Sequence, residues 1–197
     1  GALTKALRQF NKKLSVDNGY ITKVPFDLDY WQRLAAERLS TGLAETTPTD
    51  ATQWVFDGNP KTAGNSLHVA VARMLGYVWP RQTRSNFPNC PSLKPDGLEK
   101  FSDDDGIVCI PSVRGENPAA DRLATLLAAC GVKPGRDLDE WLRDGFFEEH
   151  CKLFHHRPFI WHVWDGRRRD GFHALVNYHK LAEGDGKGRK LLENLTY

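Results

Sequence analysis

The residues most able to do chemistry lie between 148 and 190 of this 197-residue chain. Arg167, Arg168 and Arg169 are consecutive, followed by Asp170, between two runs of aromatic and aliphatic residues. Guanidinium groups fork onto phosphates and onto guanine edges, so a turn carrying three of them is a candidate nucleic-acid probe. A solvated basic turn is the plain alternative. Just upstream, His150-Cys151 and His155-His156 place Cys151 and His155 one helical turn apart, a spacing open to two metal ligands. No standard zinc spacing completes the set, so no metal is expected. The plainer expectation is that these rings pack where a helix meets a strand and bond to the backbone.

Other motifs carry less. Gly184-Asp185-Gly186-Lys187-Gly188-Arg189 lacks the Ser or Thr that follows the lysine of a phosphate loop, and reads as a flexible turn. Asp103-Asp104-Asp105 lacks the spaced oxygen ligands of a calcium loop and reads as a solvated acidic turn. Glu148 and Glu149 are adjacent on an amphipathic helix, point in different directions and read as surface. Ser112 has no nucleophile elbow around it. No Glu-x-Lys follows Ile107–Ile110, where a metal-dependent nuclease would want one. No catalytic residue is therefore assigned.

The elements that must position these residues follow from periodicity and punctuation. Leu3, Leu7, Phe10 and Leu14 predict an amphipathic helix from Ala2 to Leu14. Residues 20–24 predict a short strand, and Asp27 a helix cap before 28–39. Leu67, Ala70, Val71, Met74 and Leu75 predict a helix ended by Gly76. Ile107–Ile110 predicts a short buried strand. Pro118, at a first helical position, opens a helix that Gly131 stops. Asp137 caps one long helix from Leu138 to about Phe154. Arg157–Asp165 and Gly171–His179 predict a β-hairpin over 157–179, and Lys190 begins a last helix. Residues 40–60 and 80–106 are long irregular connections, the second with four prolines. The fold class expected is α+β: several amphipathic helices packed with a small, mainly antiparallel sheet that includes the C-terminal hairpin.

Bulk properties narrow the function classes. At 40% hydrophobic and 26% charged, the chain can bury the core of a single domain over 1–197. No run approaches the ~20 apolar residues of a membrane span, so no membrane partner is expected. Cys90, Cys109, Cys130 and Cys151 are evenly scattered with no CxxC, which predicts reduced, buried thiols and a cytoplasmic setting. The net charge is +2, yet residues 151–197 carry nine Lys and Arg against five Asp and Glu. That basic end adds Lys187, Arg189 and Lys190 to the candidate DNA contacts. A start at Gly1 and an end at Tyr197 without a stop signal suit a piece of a larger protein.

Several segments together resemble one family. They are residues 23–33 (KVPFDLDYWQR), 64–73 (GNSLHVAVAR), 104–111 (DDGIVCIP), 147–162 (FEEHCKLFHHRPFIWH) and the hairpin through Leu181. Their wording resembles large bacterial adenine-specific DNA methyltransferases of anti-phage defence systems, the DISARM type most closely and the BREX type more distantly. The resemblance implies a parent enzyme that moves a methyl group from S-adenosylmethionine to the exocyclic amine of adenine in DNA, after flipping the base from the duplex. Such enzymes need a Gly-rich cofactor loop and an Asn/Asp-Pro-Pro-aromatic motif, and this sequence contains neither. It thus resembles a region outside the catalytic core, with no cofactor of its own. Duplex DNA, the rest of the methyltransferase polypeptide and other defence proteins are the partners implied. The competing expectation is a protein-interaction scaffold that binds no DNA alone, with Trp31, Trp54 and Trp79 at its interfaces.

Overall fold

The structure is a computed structural model, and it describes residues 2–10, 18–21, 23–38, 47–83, 91–113, 115–167, 170–182, 190 and 193. Where a single domain was expected from length, contacts group the chain into two compact units, Gly1–Glu45 and Thr46–Tyr197. The first unit holds helices α1 (Ala2–Phe10), α2 (Asn18–Ile21) and α3 (Leu28–Arg38). Where a strand was expected over 20–24, Tyr20 and Ile21 are instead the end of α2 and Lys23 lies in a turn. A strand this short needs a ladder partner to satisfy its backbone, whereas a helical turn satisfies itself. Asp27 does cap α3: its Oδ1 accepts the Tyr30 N–H at 2.9 Å. No residue of α3 is buried.

The second unit is the α+β body. It contains α4 (Ser66–Met74), β1 (Ile107–Cys109), α5 (Ala119–Cys130), α6 (Leu138–Asp144), α7 (Phe146–Leu153), β2 (Ile160–Trp164), β3 (His173–Asn177) and α8 (Tyr178–Ala182). The sheet is antiparallel throughout, in the order β1-β3-β2. Val108 pairs with Leu175, and His162 sits opposite the same Leu175 on the other side. Strand alternation then puts Val108, Leu175 and Ile160 on one face, where they join the main core with α4, α5, α6 and Phe146 of α7. Ile107, Cys109, Ala174 and Val176 occupy the opposite face in a second, smaller apolar cluster. β3 is buried along its whole length, as a strand with neighbours on both edges and cover on both faces must be. α4 is buried from His68 to Met74, more than the one-sided stripe of its sequence predicts.

Two helix expectations are corrected. The segment from Leu138 to Phe154 is not one helix. Gly145 ends α6, its N–H bonding to the Trp141 carbonyl at 2.9 Å, and also begins α7, its carbonyl accepting from Glu149. Glycine costs about 1 kcal/mol in a helix interior, which favours a break where two faces must turn onto one core. The Asp137 cap is present, with Oδ1 accepting the Glu140 N–H at 2.9 Å. Pro118 sits one position earlier than expected, as the cap residue before α5. Gly131, with φ +68°, closes that helix in the left-handed conformation.

The connections are irregular but tied down. The Trp79 ring is buried, lies edge-on to Phe56 with centroids 5.1 Å apart, and donates Nε1–H to the Ala51 carbonyl at 2.9 Å. Trp79 is therefore core, not the interface residue expected of a scaffold, while Trp54 stays exposed. Arg73, buried at 4% exposure, donates to both carboxylate oxygens of Asp96 at 2.8 Å and to the Gly58 carbonyl at 3.0 Å. One side chain of α4 thus holds both loops.

Candidate functional site

The hairpin is where sequence and structure converge. β2 and β3 pair from Ile160↔Asn177 to Trp164↔His173, and Asp165 N–H to Phe172 carbonyl at 3.1 Å extends the ladder toward the turn. Asp165 Oδ1 accepts the Arg167 N–H at 3.0 Å. This bond, more than any other influence, holds the Asp165 carboxyl below its usual range. The Arg167 carbonyl in turn lies 2.8 Å from His173 Nε2. The Arg167 backbone is therefore fixed at both ends, while its side chain is 76% exposed, with Nε 3.9 Å from Asp165 Oδ2. Arg168, Arg169, Lys187 and Arg189 lie outside the described residues. Lys190 is exposed and helical.

A histidine pair stands behind this turn. A carbonyl can only accept, so His173 carries its proton on Nε2 and presents a bare Nδ1. That nitrogen lies 3.0 Å from His162 Nε2, which donates to it. Burial, with His173 alongside, pushes the His162 pKa down, and Asp144 partly opposes this. A cleft of about 410 Å³ opens in front of the pair, lined by Arg143, Asp144, Phe147, Glu148, His162, Trp164 and His173. Arg143 bonds Asp139 at 2.8 Å and Asp144 at 3.2 Å, and Glu148 pairs with Lys152. Its walls come from α6, α7 and the two strands, four consecutive elements of the chain. Pairing of the two strands was legible, but the diagonal contact of His162 with His173 and the approach of Arg143 and Asp144 were not.

The cluster around Cys151 resolves into structure. His150 is fully buried, and its Nε2 accepts the N–H groups of Phe159 at 3.3 Å and Ile160 at 3.2 Å. Burial pushes its pKa down to about 3, and its Nδ1 has no partner among the described residues. His155 and His156 take positive φ, 52° and 59°, and turn the chain from α7 toward β2. The ring of His150 thus packs at a helix-to-strand junction and bonds backbone, as the plain reading expects. Among the described residues no group of three His, Cys, Asp or Glu is placed to hold a metal ion. Cys109, Cys130 and Cys151 are free. Only Cys109 of these is buried, and burial pushes all three thiols up, away from nucleophilic character.

Two acidic motifs differ from their expected roles. Asp103 is not simply solvated: Oδ2 meets Arg122 at 2.9 Å, and Oδ1 accepts the Gly106 N–H at 3.0 Å. Burial would raise its pKa, but bonds from Asp105 and Arg122 outweigh that and lower it. Asp105 goes the other way, raised to about 7 by burial and by Asp103. Asp105 accepts the Ile107 N–H of β1 at 2.9 Å and donates its own N–H to Asp103 at 3.2 Å, so the pair fastens β1 to Arg122 of α5. Glu149 is likewise more than surface. It accepts from Trp141 Nε1 at 3.1 Å and Arg136 at 3.0 Å, and lies 3.3 Å from His68 Nε2.

No family model, curated protein or solved structure matches this chain. Among the described residues no helix is long and apolar enough to cross a membrane.

Proposed function

We propose that this chain is a non-catalytic segment of a SAM-dependent adenine-specific DNA methyltransferase of bacterial anti-phage defence, contributing contacts to duplex DNA. The observation that carries the DNA contact is the Arg167 turn. Its backbone is clamped by Asp165 and His173 while its guanidinium stands in solvent. A clamped turn presents a side chain at little further entropic cost on binding, which is what a groove or phosphate probe needs. The segments whose wording resembles the methyltransferases include α4, β1, the α7–β2 junction and the hairpin, all of which contribute residues to the core of the second unit. The cofactor would belong to the rest of the polypeptide.

The test is a salt series of duplex binding by the whole chain. Binding that weakens steeply with salt is expected. Replacing Arg167, Arg168 and Arg169 together with Ala should weaken it and flatten that slope. Affinity unchanged by this replacement at low salt overturns the role of the turn.

A second reading, a protein-interaction scaffold, is favoured by one observation. Trp161 and Trp164 are each 46% exposed on the outer strand β2. Absence of any duplex shift at low salt would favour it over DNA contact.

A further inference from the structure

The cleft beside the hairpin has an aromatic wall. The hydrogen bond from His162 to His173 lies in the plane of both imidazoles, so these rings sit edge to edge. Their centroids are 5.2 Å apart and their planes 28° from parallel. Trp164, the cross-strand partner of His173, lies 22° from it at 5.7 Å and 24° from His162 at 6.4 Å. Trp164 thus lies nearly parallel to both imidazoles, in a place set by the strand register, and because His173 is buried and Trp164 half-exposed, Trp164 is the accessible ring. Phe147 of α7 stands on the helix side of the cleft. At the mouth Asp139 and Asp144 share the one Arg143, and Glu148 pairs with Lys152, three carboxylates against two cations. That excess of negative charge disfavours a phosphate inside the cleft and leaves its aromatic side to an uncharged ring. The volume, about 410 Å³, is within the range of small-ligand sites.

We infer that this cleft is a stacking site for an unpaired nucleobase, with Trp164 as its main platform. A half-exposed indole offers a π-face to any base, whereas a cleft built to read one base would line the base edge with unengaged donors and acceptors. Here Arg143 and Glu148 already have partners, and His173 spends both ring nitrogens on Arg167 and His162. The site is therefore sequence-tolerant. The inference rests on the nucleic-acid reading of the neighbouring turn, and it places a base contact a few residues from the Arg167 guanidinium.

The experiment uses the whole chain with three labelled probes, followed by fluorescence anisotropy: a short oligo-dT, an abasic oligomer of equal length, and a duplex. Oligo-dT should bind more tightly than the abasic oligomer. Trp164→Ala should weaken oligo-dT about ten-fold, the scale of one lost stacking contact, and leave the abasic oligomer unchanged. Trp164→Phe should restore most of the loss. Trp164 is half-exposed, and an unchanged melting temperature would show that the fold is intact. Equal binding of oligo-dT and abasic oligomer, or no effect of Trp164→Ala, overturns the inference. Those results leave duplex binding through the arginine turn standing. Loss of duplex binding alone, with a Trp164-dependent preference for oligo-dT intact, overturns the turn and keeps the cleft.

Discussion

The Nε2 of His150 lies 3.2 Å from the backbone nitrogen of Ile160 and accepts its N–H. The same nitrogen accepts from Phe159, so one buried ring joins the last turns of α7 to the first residues of β2. No other acceptor is bonded to the Phe159 N–H in the described residues. Replacing His150 with Phe keeps the ring stacked on Phe146 but leaves both donors unpaired. A buried unpaired donor costs about 1–3 kcal/mol. We expect His150→Phe to lower stability by about 2–4 kcal/mol at pH 7 in urea denaturation.

The same ring sets an acid response. His150 titrates near 3 when folded and near 6.5 when unfolded. Its folded pKa is depressed, so between those values the unfolded chain binds the extra proton. The contribution is intact above about 6.5 and declines as pH falls, by up to about 1.4 kcal/mol per pH unit. Urea midpoints measured from pH 7 to pH 4 should fall less in His150→Phe than in the native chain.

Asp105 has the opposite sign. Its folded pKa is raised to about 7 from 3.8, so the folded chain holds the extra proton. Its contribution is complete below about 3.8 and is lost as pH rises through 7. Asp105→Asn keeps an oxygen for the Ile107 N–H, bonded at 2.9 Å, and supplies a permanent donor to Asp103. Because Asp105 is only half-buried, the gain is discounted to about 1 kcal/mol. That gain should appear at pH 8, shrink as pH falls and vanish below about pH 3.8 in paired denaturation curves.

Arg73 is buried and its charge is answered by Asp96 on a loop. Asp96→Ala strands the guanidinium, and removing one partner of a buried pair costs about 3–5 kcal/mol. Asp96 is itself partly exposed, so water offsets some of this and about 3 kcal/mol is expected. Arg73→Met together with Asp96→Ala should recover part of the loss. A double-mutant cycle by thermal denaturation measures the coupling.

Gly76 ends α4 at φ +72°, and a Cβ there would lie 2.9 Å from the Asp103 carbonyl oxygen. Gly76→Ala combines left-handed strain with a backbone clash. A loss of about 2–3 kcal/mol is expected in the same denaturation assay.

What the sequence by itself determined was local. Leu123, Leu126 and Leu127 mark the buried side of α5, and Gly131 its end, because helix period and glycine's access to positive φ act within a few residues. The paired strands of the hairpin were legible for the same reason, since a short turn brings neighbours together. The two-helix break at Gly145 was not, because propensity tolerates a glycine that packing then uses. Tertiary structure alone decided the charged and aromatic partnerships. Arg73 meets Asp96, Asp103 meets Arg122, and the strand histidines meet Arg143 and Asp144 across a cleft. Those groups are far apart in the chain, and burial fixes which charges need a partner only after the core has placed them. The residues of the basic turn were readable as a run. That the Arg167 backbone is clamped while its side chain stands exposed depends on His173 of β3 turning back onto the hairpin turn, a contact that only the folded hairpin makes.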